Sequence, residues 1–240
     1  MKNILMNTEM TKAILDGRKV QTRRMPKKTS DGRHFKAIKG NAQYKIDEDK
    51  NFFKRDSWVS KWYKIDENVF IKETSPIQNG ETIWVREPAY VQDLRINIDD
   101  IGSEAHIDCY YNADGARKVL QVPERFNENN HNKFPKWIKN RQGIPNGCIK
   151  EMARIFLKVT NVRVERLQDI EHEDILQEGF PLDYEIKNST KIYYDDSDFD
   201  IDRTYEWWID LWNSTAPKGY KWEDNPYVFV YEFEMVKEVI

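Results

Sequence analysis

The chain has 240 residues, 39% of them hydrophobic and 33% charged, with a formal net charge of −3. That length fits one decorated domain or a core with a subdomain, and the near-neutral balance argues against a general nucleic-acid coat. No segment approaches the roughly 20 apolar residues of a membrane span, the run Ile4-Leu5-Met6 is too short for a secretory leader, and Cys109 and Cys148 lack the spacing of a zinc site, so a soluble protein of the reducing cytoplasm is expected.

Charge is unevenly spread. Residues 1–40 carry eleven Lys/Arg against three Asp/Glu, whereas residues 167–210 carry fourteen Asp/Glu against three Lys/Arg. Either the basic segment meets phosphates while the acidic one faces water, or the two attract each other across the fold.

In chain order, Ile4-Leu5-Met6 is a strand candidate, and Asn7 or Thr8 offers an N-cap for a helix through Met10, Ala13, Ile14 and Leu15. Gly17 ends that helix, because it accepts the left-handed conformation, and Lys19 to Met25 leaves as a strand or a turn into one. Residues 26–80 form a polar insertion whose aromatics, Trp58, Trp62, Tyr63 and Phe70 among them, predict a small hairpin or sheet extension. After the Asn79-Gly80 turn, Thr82 to Glu87 is a buried strand stopped by Pro88.

Ala105 to Tyr111 is the next strand, and residues 112–150 form a second insertion, with a long loop over 123–147 broken by at most a turn of helix near Trp137. Met152 to Leu167 is the clearest strand region, kinked near Thr160-Asn161. Asp169 or Glu171 opens a helix through Ile175 and Glu178, closed by Gly179. An acidic excursion over 183–202 precedes an amphipathic helix, Arg203 to Ser214, and Tyr227 to Phe233 is a core strand. Strands outnumber helices, so the expected fold is α+β, mainly β: a single domain over 1–240, built as a small barrel with two to three flanking helices and polar insertions.

Chemistry is concentrated in Gly17-Arg18-Lys19-Val20-Gln21-Thr22-Arg23-Arg24. Neighbouring cations and burial both lower a lysine pKa, so Lys19 is a candidate general base, and Thr22 supplies a hydroxyl for it to activate. Residues three apart lie on opposite faces of a regular strand, so their convergence requires Lys19 to sit in the turn before the strand, or a bulge between the two. The competing reading leaves the cations solvated and Thr22 as filler. Trp84 and Arg86 share a strand face and either stack and hold a base or serve the core and an ion pair. Trp207, Trp208 and Trp212 fit the core better than a ligand box. His34, His106, His131 and His172 are dispersed, and Asp195 to Asp200 lacks the glycine and glutamate of a calcium loop, so no metal or other cofactor is expected and that run reads as a solvated acidic loop.

Five segments, taken in order, resemble the ASCH-domain proteins of phages and prophages: Asn7 to Arg24, Ile83-Trp84-Val85-Arg86-Glu87, Val162 to Ile170, Leu211-Trp212-Asn213-Ser214 and Asn225 to Val230. The resemblance implies a PUA-like barrel that engages RNA or a modified nucleoside. More distantly, the chain is similar to the 4-acetylcytidine amidohydrolases. That similarity implies Lys19 as proton acceptor, Thr22 as nucleophile and Glu178 as proton donor. From the charge of the basic segment and the shared face of the strand over 82–87, Arg18, Arg23, Arg24, Trp84 and Arg86 are the candidate substrate- or nucleic-acid-binding residues. The insertions have no counterpart in those small enzymes. A ribonuclease-type hydrolase, a non-catalytic module binding RNA or a modified base, and a phage accessory protein that binds a protein partner are the alternatives.

Overall fold

The computed structural model describes residues 1–25, 37–39, 62–66, 69–72, 75–99, 102–126, 134–140, 142–144, 146–181 and 196–236. They form a mixed architecture with more strand than helix. The chain divides into two compact units, one of Met1–Gly17, Thr82–Lys158 and Glu234–Ile240, the other of Arg18–Glu81 and Val159–Phe233.

In the first unit, β1 (Lys2–Leu5) runs parallel to β6 (Thr82–Arg86), which pairs antiparallel with the first residues of β10 (Phe156–Arg166). Asn7 caps α1 (Thr8–Leu15), its Oδ1 accepting from Met10 N at 2.7 Å, and Gly17 leaves the helix at φ +77°. The strands β7 (Ala89–Asp99), β8 (Gly102–Tyr111) and β9 (Arg117–Gln121) form an antiparallel sheet. Two of these strands were not expected. The Gln92-Asp93 polar pair hides β7 because a bulge between Val91 and Asp93 breaks its alternation, and β9 is short and more than half polar. The helix near Trp137 is present as α2 (Lys136–Lys139).

In the second unit the order is β10, β11 (Tyr227–Met235), β2 (Gln21–Arg24), with β2 antiparallel to β11 in the register Tyr231 opposite Thr22 and Val230 opposite Arg23. The aromatic-rich second half of the first insertion does supply strands of a small sheet, β4 (Trp62–Asp66) and β5 (Val69–Lys72), with β5 also antiparallel to β3 (Ala37–Lys39) from the first half. β10 is a single strand across Thr160-Asn161.

The helix α3 (His172–Gln177) follows, N-capped at Glu171 and C-capped at Glu178, with Gly179 at φ +99° beyond. Then comes α4 (Asp196–Thr215). This corrects the acidic-loop expectation: Asp196 to Asp202 forms the start of α4, while Asp195 lies outside the described residues. Leu167, Ile170, Ile175, Phe180, Trp208, Trp212, Val228 and Val230 form the core between these helices and the sheet. Among the described residues no sheet closes into a barrel, and no helix is long and apolar enough to cross a membrane.

Candidate functional site

Lys19 lies ahead of β2 rather than within it, as the spacing argument requires. Its backbone makes an isolated antiparallel bridge to Glu178, and Val20 N donates to Gln177 O at 2.9 Å, so the stretch entering β2 is stitched to the end of α3. That backbone pairing fixes the side chains: Lys19 Nζ donates to Glu178 Oε2 at 2.6 Å and to Glu178 O at 2.8 Å. Lys19 is 1% exposed and Glu178 2%.

Glu178 is held from its other oxygen as well. Arg23 Nη1 donates to Oε1 at 3.1 Å. The same guanidinium reaches Glu165 Oε1 through Nε at 2.8 Å and Nη2 at 2.5 Å, and Asp174 Oδ2 through Nη2 at 2.8 Å. Its Cζ lies 5.7 Å from the centroid of the Trp208 ring. Gln21 Nε2 adds bonds to Asp174 Oδ1 and to Asp174 O, and Arg163 ties Glu165, Asp174 and Glu232 together. A buried ion that is fully paired and hydrogen-bonded is tolerable; an unpaired one costs several kcal/mol.

The electrostatics follow from this packing. Burial pushes the Lys19 ammonium below the usual lysine range, Glu178 opposes that, and Arg24 and Arg23 reinforce it. Burial also lowers Arg24. Burial alone would raise Asp174, but Gln21, Arg23 and Arg163 outweigh it and hold its carboxyl below the ordinary value.

Thr22 is 1% exposed and sits opposite Tyr231 on β11, whose hydroxyl is 2.8 Å from Ser75 Oγ. Among the described residues no hydrogen bond joins Thr22 Oγ1 to Lys19 or Glu178. Alternation along β2 sends Gln21 and Arg23 toward the carboxylates of α3 and β10, and Thr22 and Arg24 to the other face. Arg18 Nη1 donates to the carbonyls of Gly179 and Phe180 at 2.9 and 3.1 Å, clamping the turn after α3.

Of the two readings of Trp84, the core rather than a stacking platform is the one observed. Trp84 is a core residue of the first unit, 5% exposed and packed in a cluster with Val91, Ile107, Cys109 and Cys148, because β6 is buried through Ile83, Trp84 and Val85. Arg86 Nε is buried without a hydrogen-bond partner among the described residues. Next to it Glu87, fully buried, takes both Nε and Nη2 of Arg154, whose other donors reach Asp114. No cluster of three or more metal-ligating side chains occurs among the described residues.

Sequence reasoning missed Gln21, Arg163, Glu165, Asp174 and Glu232. The signal was present in Arg163-Val164-Glu165 and in Tyr231-Glu232-Phe233: charged residues interleaved with apolar ones in long strands, where they need partners. Comparison with protein-family models, with curated proteins and with solved structures finds no match for this chain.

Proposed function

We propose that this chain is an ASCH-type protein with a PUA-like core that acts on an acylated nucleoside, or on RNA carrying one, through Lys19, Thr22 and Glu178. The observation that carries this reading is the direct contact of Lys19 with Glu178, at 2.6 Å inside the fold, a few residues from the buried hydroxyl of Thr22. A lysine whose ammonium is disfavoured by burial becomes the amine at a lower pH than an exposed one and can then accept a proton. The proposed reaction requires substrate binding to bring Thr22 Oγ, which makes no hydrogen bond to Lys19 in the free chain, within reach of Nζ; Thr22 Oγ then attacks the acyl carbonyl while Lys19 takes its proton. The C–N bond breaks and the amine leaves with a proton passed from Lys19 through Glu178; water then attacks the threonyl ester, giving a proton to Lys19, which passes it to Thr22 Oγ as the ester C–O bond breaks and the carboxylic acid leaves.

The experiment is turnover of 4-acetylcytidine by the purified chain, with Thr22→Val as the comparison. Cytidine release that disappears in Thr22→Val supports the reading; the absence of release across a panel of acylated nucleosides and short acylated RNAs removes it.

A second reading draws on a different feature of the same geometry. Lys19, Arg23 and Glu178 are closed off and fully paired, which suits a rigid frame beneath a non-catalytic binding surface for RNA or a modified base. That module would bind with a salt dependence of about 0.7 in log K per neutralised phosphate on single strands, and salt-independent binding would exclude it.

A further inference from the structure

We propose that Arg23 is a positioning residue of this site, which aims the Glu178 carboxylate at Lys19 while Glu165 and Asp174 hold the guanidinium in place. The proposal rests on the reading in which Lys19 and Glu178 manage the proton, and adds the group that keeps them in register.

The two oxygens of Glu178 are divided between two cations, Oε2 to Lys19 and Oε1 to Arg23. A carboxylate pinned at both oxygens has one orientation; pinned at one, it turns about its own bond. Arg23 can pin it because its own plane is determined on three sides. Glu165 of β10 takes Nε and Nη2, Asp174 of α3 takes Nη2, Glu178 at the end of α3 takes Nη1, and its side chain is 0% exposed. Trp208 of α4 lies beside the guanidinium at 5.7 Å. A planar fork spreads its bonds to three carboxylates over three nitrogens in one fixed plane, which the single nitrogen of a lysine in its place does not do.

The position also matters electrostatically. The groups acting on Lys19 are Glu178, which favours its ammonium, and Arg24 and Arg23, which disfavour it along with burial. Further out, Glu165 and Asp174 face Arg23, Arg163 faces both of those carboxylates, and Tyr231 acts on Arg24. Removing the charge of Arg23 therefore makes Lys19 more basic, and replacing Arg23 by lysine keeps the charge while losing the fork.

The test follows Lys19 itself. With carbon-13 at the lysine ε position, the Lys19 signal is titrated by NMR in the unmodified chain, in Arg23→Gln and in Arg23→Lys. The expected result is a midpoint moved upward by about half a unit or more in Arg23→Gln, where the cation is gone, and moved downward in Arg23→Lys, where the cation remains but Glu178 is no longer held toward Lys19. A folded Arg23→Gln chain whose Lys19 midpoint stays in place, or a folded Arg23→Lys chain whose midpoint matches the unmodified chain's, overturns the proposal. Where Arg23→Gln does not fold, nitrogen-15 arginine spectra of the unmodified chain and of Glu178→Gln take over. Loss of exchange protection at the Arg23 Nη1 hydrogens, with Nη2 still protected, is expected in the variant; unchanged Nη1 protection overturns the proposal. Neither measurement uses a substrate, so failed turnover of acylated nucleosides leaves this result standing, and a failed titration leaves any turnover standing.

Discussion

Lys19 and Glu178 are 159 residues apart in the chain and meet twice, once through a backbone bridge and once through Nζ and Oε2 at 2.6 Å. The double contact makes the pair part of the fold as well as a candidate for chemistry, and the two roles have separate consequences.

Removing Lys19 leaves the Glu178 carboxylate buried with one cation fewer. Breaking a buried pair in this way costs about 3–5 kcal/mol, so Lys19→Ala is destabilised by roughly that amount in urea unfolding and does not test catalysis cleanly. Thr22→Val removes a hydroxyl with no hydrogen bond to Lys19 or Glu178 and is expected to cost under about 1 kcal/mol. A Lys19→Ala chain as stable as the unmodified one would contradict the buried pairing.

Acid affects the same network through Asp174. Its folded-state carboxyl lies below the ordinary value, so the stability it contributes is fully present above the unfolded value of about 3.9 and is lost as pH falls through the folded value. Unfolding free energy measured against pH therefore drops below about pH 4, and Asp174→Asn flattens the drop while lowering the plateau.

For the proposed reaction the sign on Lys19 is the opposite of a simple ion-pair expectation. Burial outweighs Glu178 and sets the folded value below 10.5, so the amine form grows in as pH rises through that lowered value. The kcat/KM profile rises with pH and levels off below 10.5, and a rise that begins only at the ordinary lysine value would count against Lys19 as the base.

Gly147 has φ +79°, and a Cβ there would lie 2.9 Å from the carbonyl oxygens of Arg86 and Glu87. Neither backbone can yield cheaply, so Gly147→Ala is expected to cost at least about 1–3 kcal/mol, whereas Gly115→Ala, at φ +71° with open space around it, costs about 1 kcal/mol. Thermal unfolding of the two variants side by side checks the order.

Both thiols are buried, and burial pushes Cys109 up to about 12 and Cys148 up to about 11. Thiol titration with an aromatic disulfide at about pH 8 should find neither in the native chain and both in denaturant.

What the sequence made legible was local. Asn7 as a cap, Gly17 and Gly179 as helix ends, and the alternating run at Tyr227 each carry their conformation in a few neighbouring residues, and each is where it was expected. β7 and β9 were not legible, because a bulge and a polar composition hide strands that only their pairing with β8 stabilises. The link between Lys19 and Glu178 came from resemblance rather than periodicity. The partners of Arg23 could not be read at all, since nothing in a linear sequence says which carboxylate a buried guanidinium will meet.

The most direct measurement is mass spectrometry of the chain quenched in acid shortly after mixing with 4-acetylcytidine. An acetyl group on the peptide containing Thr22, absent in Thr22→Val and accompanied by free cytidine, is the predicted result. Cytidine release at an undiminished rate from Thr22→Val, or neither adduct nor release from the unmodified chain, would contradict it.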